Sequence, residues 1–471
     1  MTSGFGDGTT HASDIVQFAR VTSGNPQADS ILGGGFPANS INIVMGQPGT
    51  GKTIFAEQLM FHNANSERPL LYITTLSEPL SKVVSYAQRL RFFDVNDVGT
   101  RVLYEDLGAR LAADGPGVLV PYVTEMIKRH SPAIIVIDSF KAVHDLSEST
   151  TGMRRLISDL AGVLAAYEVT TFLLGEYTQG NIESFPEFAV ADSIVQLERQ
   201  ALGARDERYL RVLKLRGSGY REGHHAFRIT ERGLEIYPRL VTPRVGDYTP
   251  TLERVNTGID GLDEPMGGGV WRGSTTLLVG PTGSGKSTIG LQFALEAYHH
   301  GEAALFVNFQ ENPVQVQRMI RALGTDPDTA QSNGFYHLYT SPVELQIDSV
   351  IIDIFDFIET KRVRRVVIDA VGDLMTAASD PQRLHDFLYS LVQHFVIRNV
   401  TTLLNLESIG GISGIRPDDQ QWSYMSDNVL LLERADAILA DRTIRVIKTR
   451  NSDHDPSAHA VEIRRDGVHV L

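Results

Sequence analysis

Cysteine is absent from the 471-residue chain. Disulfides, thiolate metal sites and cysteine nucleophiles are therefore excluded, and the chemistry must come from other groups. The absence suits a reducing, cytoplasmic location. Long apolar runs are missing as well. The longest, such as Ala133–Ile137, are strand length, far short of the roughly 18 residues that a spanning helix needs. A basic excess is missing too: Lys plus Arg number 43 against 57 Asp plus Glu, a formal charge of −14. The chain as a whole thus lacks the positive field on which non-specific nucleic-acid binding relies. Residues 1–19 read as a polar tail, and Met1–Thr10 contain no apolar core of a signal peptide or anchor. The expectation is a soluble protein without membrane or nucleic-acid partners.

Apolar residues make up 42% of the chain, ample for real cores, and at roughly 100 to 200 residues per domain the length allows two to four domains. Self-similarity narrows this to two. GQPGTGKT at Gly46–Thr53 recurs as GPTGSGKS at Gly280–Ser287, 234 residues later. The same register pairs RVTSG at Arg20–Gly24 with RVNTG at Arg254–Gly258. It also pairs LGGGF at Leu32–Phe36 with MGGGV at Met266–Val270, and KLR at Lys214–Arg216 with KTR at Lys448–Arg450. Within each copy, short β-branched runs alternate with longer amphipathic stretches, the pattern of a mostly parallel α/β sheet flanked by helices. Copy one is predicted to place strands at 40–45, 70–75, 133–138 and 170–174, and copy two at 275–279, 304–309, 365–369 and 401–406. Runs near 210–215 and 226–229 read as a closing β-hairpin. The predicted domains are 20–240 and 254–471, joined by a proline-bearing linker at 241–253.

G-x-x-x-x-G-K-[ST] wraps a strand-to-helix loop around phosphates, so that backbone N–H groups and a helix N-terminus meet negative charge. Here the loops are Gly46, Gly49, Thr50, Gly51, Lys52 and Thr53, and Gly280, Gly283, Ser284, Gly285, Lys286, Ser287 and Thr288. The lysine reaches the β and γ phosphates, and the hydroxyl of Thr53 or Ser287 holds Mg2+. One such match arises by chance in a chain of this length about once in fifty, taking glycine at roughly 7% of residues. Two in register remove that explanation. A second magnesium-side carboxylate belongs at the end of a later apolar strand: AIIVIDS supplies Asp138 and RRVVIDA supplies Asp369. No guanine-reading NKxD occurs, so ATP is the expected nucleotide.

Hydrolysis also needs a group that orients or deprotonates water. After the second strand, FQENP offers Glu311 and TLSEP offers Glu78, although aligning Pro79 with Pro313 sets Ser77 opposite Glu311; the two copies are expected to differ in rate. Glu176 and Glu407, at the end of the strand after the aspartate strand, are candidates to sense the γ phosphate. Lys214 with Arg216, and Lys448 with Arg450, lie two apart on a strand and share a face, which suits a phosphate. They follow their own P-loop by about 160 residues, so a neighbouring subunit's nucleotide is their natural target. The pairs His224–His225 and His299–His300 lack a metal-ligand spacing.

With RYLRVLKLRGSGYREGHHAFRITERGLEIYP at Arg208–Pro238 and TGIDGLD at Thr257–Asp263, the chain resembles the KaiC family across nearly its whole length. That resemblance implies tandem RecA-like P-loop domains, a double-ring homo-hexamer with ATP between subunits, and trans contacts from the four cations. The family's paired catalytic glutamates follow the second strand, where copy two has Gln310 and Glu311 and copy one has Leu76, Ser77 and Glu78. The resemblance also implies an autokinase in copy two. WSYMSDNVLLLE places Ser423, Tyr424 and Ser426 at the acceptor region, so one acceptor survives but not the paired code. Leu471 matches position 237 of copy one, so the tail that receives the activator KaiA is expected to be missing, leaving KaiB-like or other signalling partners.

Two other classes compete with a hydrolysing ATPase. In one, ATP only glues subunits into an oligomeric scaffold. In the other, the RecA-like fold drives a DNA motor, which needs cationic and aromatic channel loops; the candidate segments 176–187 and 407–421 carry Arg416 alone as a cation.

Overall fold

The computed structural model describes residues 19–65, 67–76, 80–147, 149–202, 205–243, 251–378, 381–408, 425–437 and 440–471. The chain divides into two compact units after Arg239. The described residues of each unit form a nine-stranded sheet with one strand order.

In the first unit the order runs Val102–Asp106, Leu70–Thr74, Ile134–Asp138, Thr170–Gly175, Ile41–Gly46, Ser193–Leu202, Arg205–Leu215, His225–Thr230, Gly233–Tyr237. The first six are mutually parallel and the last three add on antiparallel. The second unit repeats this with Phe335–Tyr339, Ala303–Asn308, Val363–Asp369, Thr401–Glu407, Thr275–Gly280, Asn428–Ala437, Ala440–Thr449, His459–Arg464 and Gly467–Val470. The predicted strands lie where their β-branched runs placed them, within one or two residues. The two segments read as a hairpin are antiparallel neighbours, with His225 opposite Leu210, and belong to a longer antiparallel extension. The outer strands Val102–Asp106 and Phe335–Tyr339 escaped the sequence pattern because they are only partly buried and carry no continuous apolar run.

Helices cover both faces, which explains why the central strands read as unbroken apolar runs. Along Leu70–Thr74, Leu70 and Tyr72 enter one core with Phe36, Phe55 and Phe172, while Leu71 and Ile73 enter the other with Ile43, Met45 and Leu160. Each unit opens on a small two-residue ribbon held by an arginine. Arg20 donates to the Gly35 carbonyl at 2.8 Å and Arg254 to that of Gly269 at 2.6 Å. Among the described residues, no helix is long and apolar enough to cross a membrane.

Candidate nucleotide sites

Both P-loops leave the C-terminal end of the middle strand and turn directly into helices Lys52–Asn63 and Lys286–His299. The turn demands glycine. Gly51 and Gly285 take φ of 97° and 108°, conformations costly for any residue with a Cβ, and a Cβ on Gly46 would stand 2.2 Å from the Leu197 carbonyl oxygen. Neither helix N-terminus has a side-chain cap, so its first N–H groups face the loop as anion donors. Lys52 Nζ donates to the carbonyls of Gly46 and Gln47 at 3.0 Å each, and Lys286 Nζ to those of Gly280 and Pro281 at 2.8 Å each. Burial holds both lysines below the ordinary ammonium range; Glu176 and Asp138 oppose this for Lys52, and Glu407 and Asp369 for Lys286.

The aspartates end the neighbouring strand but are held differently. Asp138 Oδ2 accepts from Thr53 Oγ1 at 2.8 Å and from the buried Tyr72 hydroxyl at 2.6 Å. Burial first, then the Asp138 charge, pushes the Tyr72 hydroxyl far up, so it remains a donor. In the second unit Phe306 takes the place of Tyr72, and the donor comes from the opposite flanking strand: Asn405 Nδ2 reaches Asp369 Oδ1 at 2.9 Å. Burial raises the pKa of Asp369, while hydrogen bonding from Asn405 and Ser287 pulls it down. Its Oδ2 is buried without a hydrogen bond of normal geometry among the described residues.

Glu311 follows the Ala303–Asn308 strand. Asn308 Nδ2 donates to both its backbone carbonyl and its Oε2, each at 2.9 Å. Gln310 instead turns to Asp373, donating to its two carboxylate oxygens at 3.1 and 3.2 Å. Asp373 is pushed up mainly by burial, and the Gln310 bond opposes the shift. Ser77 and Glu78 lie outside the described residues, as does Ser423. Glu176 stands 4.0 Å from Lys52 Nζ, and Glu407 accepts from the P-loop residue Thr282. Around the first P-loop, a cavity of about 850 Å³ is lined by Lys52, Thr53, Asp138 and Glu176 together with Tyr86 and Arg89, a size that suits a nucleotide.

The paired cations sit elsewhere. Lys214 lies level with Ile43, two strands across from the P-loop strand and three residues below Gly46. At about 3.3 Å per residue that is ~10 Å toward the opposite sheet end. Its Nζ donates to the carbonyls of Phe188 at 3.2 Å and Ala189 at 3.4 Å, while Arg216 pairs with Asp192 at 3.5 Å. Lys448 matches it, level with Leu277 through Val429, and donates to the Ser426 carbonyl at 2.7 Å. Arg450 lies 3.7 Å from Asp427. Burial lowers the pKa of each lysine, and the charge of the arginine two residues on lowers it further, a strain that an anion relieves. Ser426 is 1% exposed.

Tyr72, Asn308, Asp373 and Asn405 were not singled out from the sequence. Comparing the copies position by position exposes the first: Tyr72 stands where the second unit has Phe306, a hydroxyl added inside a core strand.

An uncapped helix behind a glycine loop, a buried lysine, a hydroxyl on its first turn and a carboxylate on the adjacent strand, built twice on one sheet topology, define a tandem RecA-like P-loop ATPase. The KaiC ATPase family model matches residues 21–241 and again 255–471; the chain belongs to the KaiC family. It is 27% identical to the circadian clock oscillator protein KaiC of Acaryochloris marina, over 94% of this chain and 86% of that protein. It is 26% identical to that of Prochlorococcus marinus, over 97% and 91%, and 26% identical to KaiC 1 of a Synechocystis species, over 94% and 87%.

Proposed function

We propose that this protein is a Mg2+-dependent ATPase that assembles as a double-ring homo-hexamer with ATP between subunits and serves a clock-like or signalling role. The observation that carries the reading is the placement of Lys214 with Arg216, and of Lys448 with Arg450, at the sheet end away from their own P-loops. Cations built in register in both units, yet out of reach of their own nucleotide, have a purpose when a neighbouring subunit presents its nucleotide to them. Thr53 with Asp138, and Ser287 with Asp369, would hold Mg2+; the buried Oδ2 of Asp369, without a hydrogen bond of normal geometry among the described residues, fits a cation. When bound, Mg2+ supplies charge neutralisation across the β and γ phosphates. Glu311, fixed by Asn308, orients and deprotonates the attacking water. Lys52 and Lys286 exchange their carbonyl partners for phosphate oxygens.

In copy two, a neighbour's ATP would meet Ser426, whose carbonyl takes the Lys448 ammonium, at that sheet end, which suits a slow autokinase side reaction. KaiB-like or signalling proteins fit as partners. A scaffold role has its own support in copy one, where Leu76 and Ser77 occupy the positions of Gln310 and Glu311 and Tyr72 already engages Asp138. Native mass spectrometry with and without ATP and Mg2+, combined with a phosphate-release assay, tests the reading. Expected are six subunits with bound nucleotide and steady phosphate release. A monomer that holds ATP and releases no phosphate would overturn it.

A further inference from the structure

Glu311 sits on a short loop that begins at Phe309 and ends where Asn312 caps the helix Pro313–Ala322. A carboxylate on such a loop samples several rotamers unless something holds it. Two residues do. Asn308 is fully buried at the end of its strand, and its amide nitrogen takes the Glu311 carbonyl and carboxylate together. Since a carboxylate cannot donate, the amide nitrogen must face it. The amide oxygen then turns to the next strand, where it lies 2.8 Å from His337 Nε2. His337 stands on the adjacent Phe335–Tyr339 strand, opposite Phe306. With Oδ1 as acceptor, Nε2 carries the proton, and burial holds the imidazole neutral by lowering its pKa to about 4.

Among its described residues the first unit has nothing equivalent. Thr74 takes the position of Asn308, and Tyr104, opposite Tyr72 in the matching register, takes that of His337.

The geometry points to a positioning relay, His337 to Asn308 to Glu311, that orients the water-activating carboxylate of the second unit and makes that unit the faster hydrolytic site. His337 does not touch substrate. It fixes the Asn308 amide, and the amide fixes both the backbone and the carboxylate of Glu311, which removes rotamer freedom before the reaction begins. Because the histidine is neutral, it adds no charge that would lower the basicity of Glu311.

The inference rests on Glu311 being the base, so the experiment separates the two. Steady-state phosphate release is measured on the full chain for Asn308→Thr, His337→Phe, His337→Gln and Glu311→Gln, with ATP affinity and thermal unfolding measured in parallel. Asn308→Thr installs the residue that the first unit tolerates at this place, so folding is expected to survive. The expected result is a kcat about tenfold or more lower for Asn308→Thr and His337→Phe, with KM and ATP affinity unchanged and the limb of the pH–rate profile belonging to Glu311 displaced. His337→Gln, which keeps an N–H donor, retains most of the rate. Wild-type kcat and pH profile in Asn308→Thr, beside an inactive Glu311→Gln, would overturn the relay alone. Wild-type turnover in Glu311→Gln would overturn the underlying assignment instead.

Discussion

The Tyr72 hydroxyl lies 2.6 Å from Asp138 Oδ2, the oxygen that also accepts from Thr53. In the second unit the equivalent aspartate, Asp369, receives its donor from Asn405 on the other neighbouring strand. The exchange is reciprocal: Phe306 stands where Tyr72 would, and Leu174 where Asn405 would. Each aspartate therefore keeps one buried donor, supplied from opposite sides.

Tyr72→Phe should destabilise the first unit by about 1.5–3 kcal/mol, the range for a hydrogen bond to a charged group, and leave the second unit unchanged. Asn405→Leu should destabilise the second unit at least as much, because Asp369 is more deeply buried. Adding Phe306→Tyr to Asn405→Leu should restore part of the loss by recreating the first unit's arrangement. Urea denaturation of each variant, followed by probes in each unit, reads all three.

Removing the P-loop lysines and removing the carboxylate should separate binding from turnover. Lys52→Ala and Lys286→Ala should each weaken ATP binding at the altered site by about a hundredfold, roughly 2.7 kcal/mol, and loosen assembly. Glu311→Gln should leave binding and assembly intact while turnover at the second-unit site falls by about 10²–10⁴. Titration with a fluorescent ATP analogue and a phosphate-release assay distinguish the two patterns.

The proposed trans role of the cations predicts complementation. Arg216→Ala should lower turnover at the first-unit nucleotides, and Arg450→Ala at the second-unit nucleotides, by about 10³ while each subunit still binds ATP. In a Glu311→Gln background that silences the second unit, mixing Lys52→Ala subunits with Arg216→Ala subunits should recover activity above either alone, because some interfaces then combine an intact lysine with an intact arginine. No recovery across mixing ratios would argue that the arginine acts within its own subunit.

Two buried histidines set a pH dependence of stability. Burial lowers both His225 and His337 to about 4. The unfolded chain takes up protons as pH falls below the ordinary histidine value of ~6.5, whereas the folded chain takes them up only near pH 4. The unfolded state thus binds more protons in between, and stability falls as pH drops from ~6.5 to ~4. Denaturation midpoints measured across that window should decline, and His225→Gln or His337→Gln should flatten the decline.

Much of the fold was legible because its signals are local. Core strands such as Ile134–Asp138, buried on both faces, betray themselves as apolar runs, and the glycine spacing of a P-loop reflects a backbone turn that few other residues permit. Edge strands were not legible, since Phe335–Tyr339 mixes polar and aromatic residues over a half-buried surface. At the sites, Lys52, Lys286, Asp138 and Asp369 carried motif signals. Asn308, His337 and Asn405 did not, because each matters through a partner on a neighbouring strand: Asn308 and His337 are 29 residues apart, and Asn405 and Asp369 are 36.

By itself, the sequence determined that one P-loop unit is written twice, with its phosphate loops, strand-end aspartates and paired cations in register, because each of these depends on spacing along the chain. Only the tertiary structure decided which flank supplies the donor to each aspartate, that Glu311 is tied to Asn308 and His337, and that the cations lie at the sheet end away from their own loops. Those are consequences of strand order and register, which bring residues distant in the chain within hydrogen-bond distance and carry others, close in motif, to opposite ends of the same sheet.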